Sequence, residues 1–258
     1  MTKEKAQLVG KRWSFCAKGY NEIIHREFQG EIPHKWTKLL EENAPTAKGK
    51  VLDIGTGPGF FAVLLSRMGW EVTGIDCAEE MIQTARKNAR DAGAQAVFRK
   101  MDNHRLDFPD NTFDYIVSRN VTWILYEPET AFQEWFRVLK PGGRVLYFDA
   151  NWPYEKDEEF LDAQKKDEEN YRRLYGEPIN TYTGDAKTNE EFRKLIFFKS
   201  KWRPGWDEEH LPQYGYENVQ VVPRVNEVVY SKPKQLLYRS VPMFMVTADK
   251  PVSGRSKN

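Results

Sequence analysis

The residues best placed to do chemistry stand between Lys50 and Asp76. An apolar run (Val51, Leu52, Ile54) carries an acid, Asp53, and meets a turn with glycine at 55, 57 and 59. An amphipathic run follows (Phe61, Leu64, Leu65, Met68), and a second apolar run (Val72, Ile75) ends in another acid, Asp76. Strand, glycine turn, helix, strand and acid is the layout of a nucleoside site in a parallel α/β sheet. Glycines let the backbone turn sharply and approach a ligand closely. The helix start near Phe60 aims free N–H groups at the turn. A carboxylate ending the second strand can accept from both hydroxyls of a ribose.

The spacing also says which nucleoside ligand fits. A dinucleotide fold carries G-x-G-x-x-G, but these glycines run G-x-G-x-G and Phe60 holds the third position. No G-x-x-x-x-G-K-[ST] run exists for a triphosphate. Asp53 sets a negative charge beside the turn, unfavourable to a pyrophosphate and suited to an ammonium group. S-adenosylmethionine has an ammonium, a sulfonium, a ribose diol and no phosphate.

The run VLDIGTGPGFFAVLLSRMGWEVTGIDCAEEMIQTARKNA resembles the first two motifs of class I S-adenosylmethionine-dependent methyltransferases. Within them it is most similar to the branch of the ubiquinone/menaquinone-biosynthesis C-methyltransferases and related small-molecule enzymes. MDNHRLDFPDNTFDYIVSRN resembles that family's third-strand acid, its loop and its fourth strand, and FRVLKPGGRVLYFD its following helix, turn and fifth strand. The resemblance is strong over 46–150 and weaker over 207–250. It implies a doubly wound, mostly parallel, seven-stranded Rossmann-like sheet.

It also implies roles, residue by residue. Asp53, Gly55, Thr56, Gly57 and Gly59 would hold the methionine end, and Asp76 the ribose. Cys77 and Met81 would flank the adenine. Asp102 matches the acid that accepts from the adenine amino group, with Asn103 beside it. Ser118, Arg119 and Asn120 would face the methionine moiety and the methyl group. Tyr20 either closes over the cofactor or is a core residue of its helix.

The remaining elements must position these groups. Trp13, Ala17, Tyr20, Ile24 and Phe28 step along one face of a helix. Strands are expected over 50–54, 71–75, 95–100, 113–118 and 144–149, and helices over 58–68, 78–92 and 128–139. Gly93 ends the second of these helices, and Pro141-Gly142-Gly143 stops the third. GYENVQVV and VPMFMVTADKP read as a closing antiparallel pair. The organisation expected is an N-terminal helical lid over 1–45, a cofactor core over 46–150, an aromatic-rich lid insertion over 151–206, and closing strands with a tail over 207–258. All four belong to one structural domain.

Composition limits the partners. Lys and Arg number 39 against 38 Asp and Glu, so no basic bias favours nucleic acid. The N-terminus has no apolar signal core, and no apolar run approaches bilayer-spanning length. The two cysteines, Cys16 and Cys77, suggest neither a disulfide framework nor a zinc site. A cytoplasmic monomer or homodimer without metal or membrane contact is expected. Asn151-Trp152-Pro153-Tyr154 resembles the N/D-P-P-Y loop of nucleic-acid amino-methyltransferases, but Trp stands at the second position and the run follows the fifth strand instead of the fourth.

Methyl transfer from a sulfonium is an in-line displacement that chiefly needs alignment and a dry pocket. A general base is needed only if the acceptor must first lose a proton. Candidates are His104, Tyr126, Asp149 and Tyr154. Trp123, Tyr126, Trp152 and Tyr154 are expected to wall a small-molecule acceptor pocket. The alternative function is a non-catalytic cofactor-binding sensor or partner subunit, since fold does not fix function.

Overall fold

The computed structural model describes residues 2–152 and 158–252. Three helices open the chain: α1 (Thr2–Ser14), α2 (Ala17–Glu27) and α3 (Ile32–Glu42). The core then alternates β1 (Lys50–Ile54), α4 (Phe60–Arg67), β2 (Glu71–Asp76), α5 (Glu79–Asp91), β3 (Ala96–Lys100), β4 (Phe113–Arg119), α6 (Pro128–Val138) and β5 (Leu139–Ala150). Three further helices lie between β5 and the closing strands: α7 (Glu158–Tyr175), α8 (Ala186–Leu195) and α9 (Gly205–His210). The chain closes with β6 (Glu217–Val222), α10 (Asn226–Val229), α11 (Lys232–Leu237) and β7 (Met243–Asp249).

One seven-stranded sheet runs in the order β3-β2-β1-β4-β5-β7-β6. Strands β1 to β5 pair in parallel, and β7 runs antiparallel to both β5 and β6. Val51, Leu52 and Ile54 are fully buried, as a central parallel strand covered on both faces requires. The strand order reverses between β1 and β4, which places a ligand crevice outside their carboxyl ends.

The structure departs from the sequence reading at two places. The apolar face from Trp13 to Phe28 belongs to two helices, because the chain turns at Cys16, whose N–H donates to the Trp13 carbonyl at 2.9 Å. Strand β5 begins at Leu139, so Pro141-Gly142-Gly143 lies inside the strand. Leu139 pairs with Phe113, the register shifts before Tyr115, and Gly142, at φ +77°, donates its N–H to the Lys250 carbonyl.

The N-terminal helices are not alike. Trp36 and Leu40 of α3 are fully buried in the core with Phe61 and Phe148, whose rings meet Trp36 edge-on at 5.1 and 5.0 Å. Helix α1 instead lies under the insertion: Arg12 stacks over Trp13, Tyr182 and Phe192, and Thr183 Oγ1 donates to the Phe15 carbonyl. Trp36→Ala is therefore expected to cost about 3–5 kcal/mol in denaturant unfolding. A loss below about 1 kcal/mol would show that α3 is not part of the core.

Candidate cofactor and active site

The carboxyl ends of β1, β2 and β4 open into a pocket of about 940 Å³, solvent-filled mouth included. Of the residues expected around the cofactor, Asp53, Gly55, Thr56, Gly57, Asp76, Cys77, Met81, Asp102, Asn103, Arg119, Asn120 and Tyr20 line it. Sequence reasoning did not place Ala6 and Val9 of α1, Phe60 and Phe61 of α4, or Val121 and Ile124, which also line it. The one available signal was spacing: Ala6, Val9 and Trp13 share a helical face.

Asp53 is buried, and its Oδ2 accepts from Thr56 Oγ1 at 2.7 Å. Burial pushes its pKa up to about 7, against the opposing pull of Thr56 and Arg119. Asp76 accepts from the backbone N–H groups of Gly57 at 3.1 Å and Ala78 at 2.9 Å. Burial raises it to about 6, again against its hydrogen bonds. Each carboxylate oxygen has more than one acceptor site, so Asp76 keeps capacity for ribose hydroxyls while holding the turn.

The glycines divide their work. A Cβ on Gly55 would come within 2.2 Å of Val121 Cγ2, so the loop after β4 demands this glycine, and not the methionine tail. Gly59, at φ +89°, starts α4 away from the pocket, where a Cβ would meet Ala85 at 3.2 Å. Gly57, at φ +51°, has open space on the Cβ side, so the backbone there forms a cradle that a side chain would fill.

At the β4 end, Ser118 turns inward and donates to the Ile54 carbonyl at 2.8 Å, which takes it out of the pocket wall. Arg119 lies against the rings of Trp36, Phe60 and Phe61 and donates to Glu27 at 2.8 Å. Asn120 sits at φ +59°. Two buried polar atoms of the wall, Asn120 Oδ1 and Trp13 Nε1, have no hydrogen-bond partner among the described residues. An acceptor and a donor left unsatisfied at a cavity wall are costly unless a ligand or water completes them.

At the β3 end the pocket closes on a polar triad. Asp102 Oδ1 accepts from His104 Nδ1 at 2.9 Å, and Asp102 Oδ2 accepts from the Tyr126 hydroxyl at 2.8 Å. The His104 and Tyr126 rings stack with centroids 3.7 Å apart. Nε2 of His104 faces the Glu127 N–H at 3.4 Å. Both ring nitrogens of His104 are thus engaged, and the raised pKa of Tyr126, from burial and then Asp102, keeps its proton in place. Burial, with Asp76 and Asp102 nearby, pushes up the Cys77 thiol as well.

Three other expectations fail on geometry. Asp149 is not at the pocket: fully buried, it accepts from Thr122 Oγ1, the Trp123 N–H and Trp152 Nε1, with Arg203 3.7 Å away. Trp123 and Trp152 do not line the pocket, because Trp13 stands in front of Trp123 at 6.4 Å. The pocket wall there belongs to Trp13 and Tyr20, whose rings meet edge-on at 5.3 Å. Tyr154 lies outside the described residues. Asn151 exchanges two hydrogen bonds with the Arg203 backbone, which is a structural role.

The donor set fits S-adenosylmethionine: two acids for its cation and diol, a side-chain-free cradle, and an apolar wall. Asp76→Ala is expected to weaken S-adenosylhomocysteine binding by about 1.5–3 kcal/mol in calorimetry, since a charged acceptor is lost. Unchanged affinity would remove Asp76 from the site.

Comparison with known proteins agrees with this geometry. Residues 52–147 match the model of a methyltransferase domain family. The chain is 40% identical to the phosphatidylethanolamine N-methyltransferase of Cereibacter sphaeroides over 53% of its length and 63% of that protein. It is 34% identical to the ubiquinone/menaquinone biosynthesis C-methyltransferase of Saccharophagus degradans over 58% of its length and 63% of that protein. The chain therefore spans less than two thirds of either relative. The crystal structure of the [4+2]-cyclase SpnF superimposes with a TM-score of 0.65 at 18% identity, covering 96% of this chain and 97% of that one. Residues 52–147 of the chain's β1–β5 core thus carry a methyltransferase domain, built around a pocket whose residues fit S-adenosylmethionine.

Proposed function

We propose that the protein transfers a methyl group from S-adenosylmethionine to a small-molecule acceptor. The observation that carries this is the continuity of the pocket, which runs from Asp102 past Asp76 and Asp53 to Arg119 and Asn120 under the roof of α1 and α2. The cofactor supplies a methyl group on a sulfonium whose charge is discharged on transfer. The protein aligns and keeps dry. Asp53 and Asp76 fix the methionine end and the ribose of the cofactor, and Trp13, Tyr20 and Ile24 exclude water from above.

Of the candidate bases among the described residues none is free at the wall, and Asp53 and Asp76 are given to the cofactor: His104 is engaged at both nitrogens, Tyr126 donates to Asp102, and Asp149 is sealed away. This supports an acceptor that is nucleophilic without enzymatic deprotonation, such as a free amine, an already ionised oxygen or sulfur, or an activated carbon. Near-neutral charge and two free cysteines support a cytoplasmic protein without a nucleic-acid partner. Among the described residues no helix is long and apolar enough to cross a membrane.

The likeness to a cyclase keeps a second reading in view, in which the chain binds the cofactor without transferring its methyl group. Incubation with methyl-labelled S-adenosylmethionine and a metabolite extract separates the two. The proposal expects a labelled product and stoichiometric S-adenosylhomocysteine. Cofactor binding without label transfer would favour the second reading.

Helix α1 must open for the cofactor to enter. Beside the buried packing of Val9, Arg12 and Trp13, its polar fastenings include two that are exposed or half-buried, Lys5 to Glu127 at 2.7 Å and Ser14 to Glu80. Amides of α1 are expected to exchange faster than those of β1 in the free protein, and to slow when S-adenosylhomocysteine binds. Equal protection with and without ligand, by hydrogen-exchange mass spectrometry, would contradict a gating role.

A further inference from the structure

A second cleft, of about 1080 Å³ with its solvent-filled space included, lies between α2, the end of α7 and the α10–α11 segment. Four tyrosines line it: Tyr171, Tyr175, Tyr230 and Tyr238. Their rings pair, Tyr171 with Tyr175 at 5.4 Å and Tyr230 with Tyr238 at 6.1 Å. The cleft meets the cofactor pocket through a single carboxylate, Glu27. Glu27 Oε2 accepts from Arg119, which lines the cofactor pocket, at 2.8 Å, and Oε1 accepts from Lys234, which lines the cleft.

The charges of this bridge do not balance. Two cations share one carboxylate, and the side chains of Arg119, Glu27 and Lys234 are only 13, 8 and 21% exposed. Burial would push Glu27 up, but Arg119 and Lys234 hold it down at about 2, so the carboxylate stays ionised with one cation on each oxygen. Lys234 is destabilised as a cation by burial, in spite of Glu27 and with Arg119 adding to the cost. A surplus positive charge held out of water is costly unless an anion completes it. Lys234 has three N–H donors, of which Glu27 takes one, and its Nζ sits 4.1 Å from the Tyr230 ring centroid.

Resting on the methyl-transfer reading, we propose that this tyrosine-lined cleft is the acceptor site and that it takes a flat, largely apolar molecule bearing one carboxylate or phosphate, which Lys234 binds. The tyrosine faces supply the apolar contact. Glu27, shared by Lys234 and Arg119, is the group between the cleft and the cofactor pocket, so on this proposal the acceptor's reactive end passes beside it.

The test measures binding of 3-(4-hydroxyphenyl)propionate, its neutral amide and phenyl phosphate by calorimetry on protein saturated with S-adenosylhomocysteine. The two anions are expected to bind at least about tenfold more tightly than the amide, which separates charge from ring contact. Preference between the two anions distinguishes a carboxylate from a phosphate source. Lys234→Gln should remove that preference and Lys234→Arg should keep most of it, each measured on protein shown by calorimetry to be saturated with S-adenosylhomocysteine. Tyr175→Ala, at a position 49% exposed and safe for folding, should weaken acid and amide alike. Equal binding of acid and amide, no binding of any probe at millimolar concentration, or full acid affinity in Lys234→Gln would overturn the proposal. In the labelled-extract assay, a neutral or cationic labelled product formed at wild-type rate by Lys234→Gln would likewise overturn it while leaving methyl transfer intact. Failure to bind S-adenosylhomocysteine would instead strike the reading on which it rests.

Discussion

The site depends on keeping two carboxylates out of water at the ends of adjacent parallel strands. Parallel pairing sets Asp53 of β1 opposite Gly74 of β2, and Asp76 then ends β2 two residues further on. The glycine turn bends between them, with the Thr56 N–H donating to the Ile75 carbonyl and the Gly57 N–H to Asp76. The same backbone bonds that close the turn therefore aim the acids. Burial raises both acids, so the pocket walls disfavour their charge, and a cationic, diol-bearing ligand offsets that cost.

Around that constraint the other elements divide into those that are core and those that cover. Helix α3 and the aromatic face of α4 fix Arg119 from below through Trp36, Phe60 and Phe61. Helix α1 and the 182–195 stretch cover from above, joined through Arg12, Tyr182 and Phe192. The insertion is fastened to the sheet by a buried network in which Arg203 donates to Asp207 and Thr122, and the Tyr147 hydroxyl donates to Asp207. Such a network is costly to break by removing one member, which holds the end of the insertion in a fixed place beside the pocket.

Much of the core was legible because its signals are local. The strand from Lys50 to Ile54 appears within the bounds its apolar run announced, and the helices and strands to Val138 end within a residue or two of where Gly93 and the apolar periodicity put them. The pocket residues on those strand ends were legible for the same reason. What escaped the sequence depends on distant partners. The Pro-Gly-Gly run reads as a helix stop, yet β4 and β7 draw it into a strand through Phe113 and Lys250. The apolar spacing from Trp13 to Phe28 continues across a turn, so periodicity alone does not reveal the break at Cys16. Asp149 reads as a reactive acid until Arg203 is brought beside it, and Trp123 reads as a pocket wall until Trp13 is placed in front.

The central claim, that a cationic cofactor restores charge to acids which burial has made reluctant to ionise, is tested most directly by the protons released on binding. Calorimetric titration with S-adenosylmethionine at pH 6.5, in two buffers of different ionisation enthalpy, reads that number. With Asp53 near 7 and Asp76 near 6 in the free protein, binding should release about one proton, and affinity should fall as pH drops from 7.5 to 5.5. Asp53→Asn should remove most of the release. Binding that takes up protons, or that releases none and holds its affinity across this range, would contradict the account.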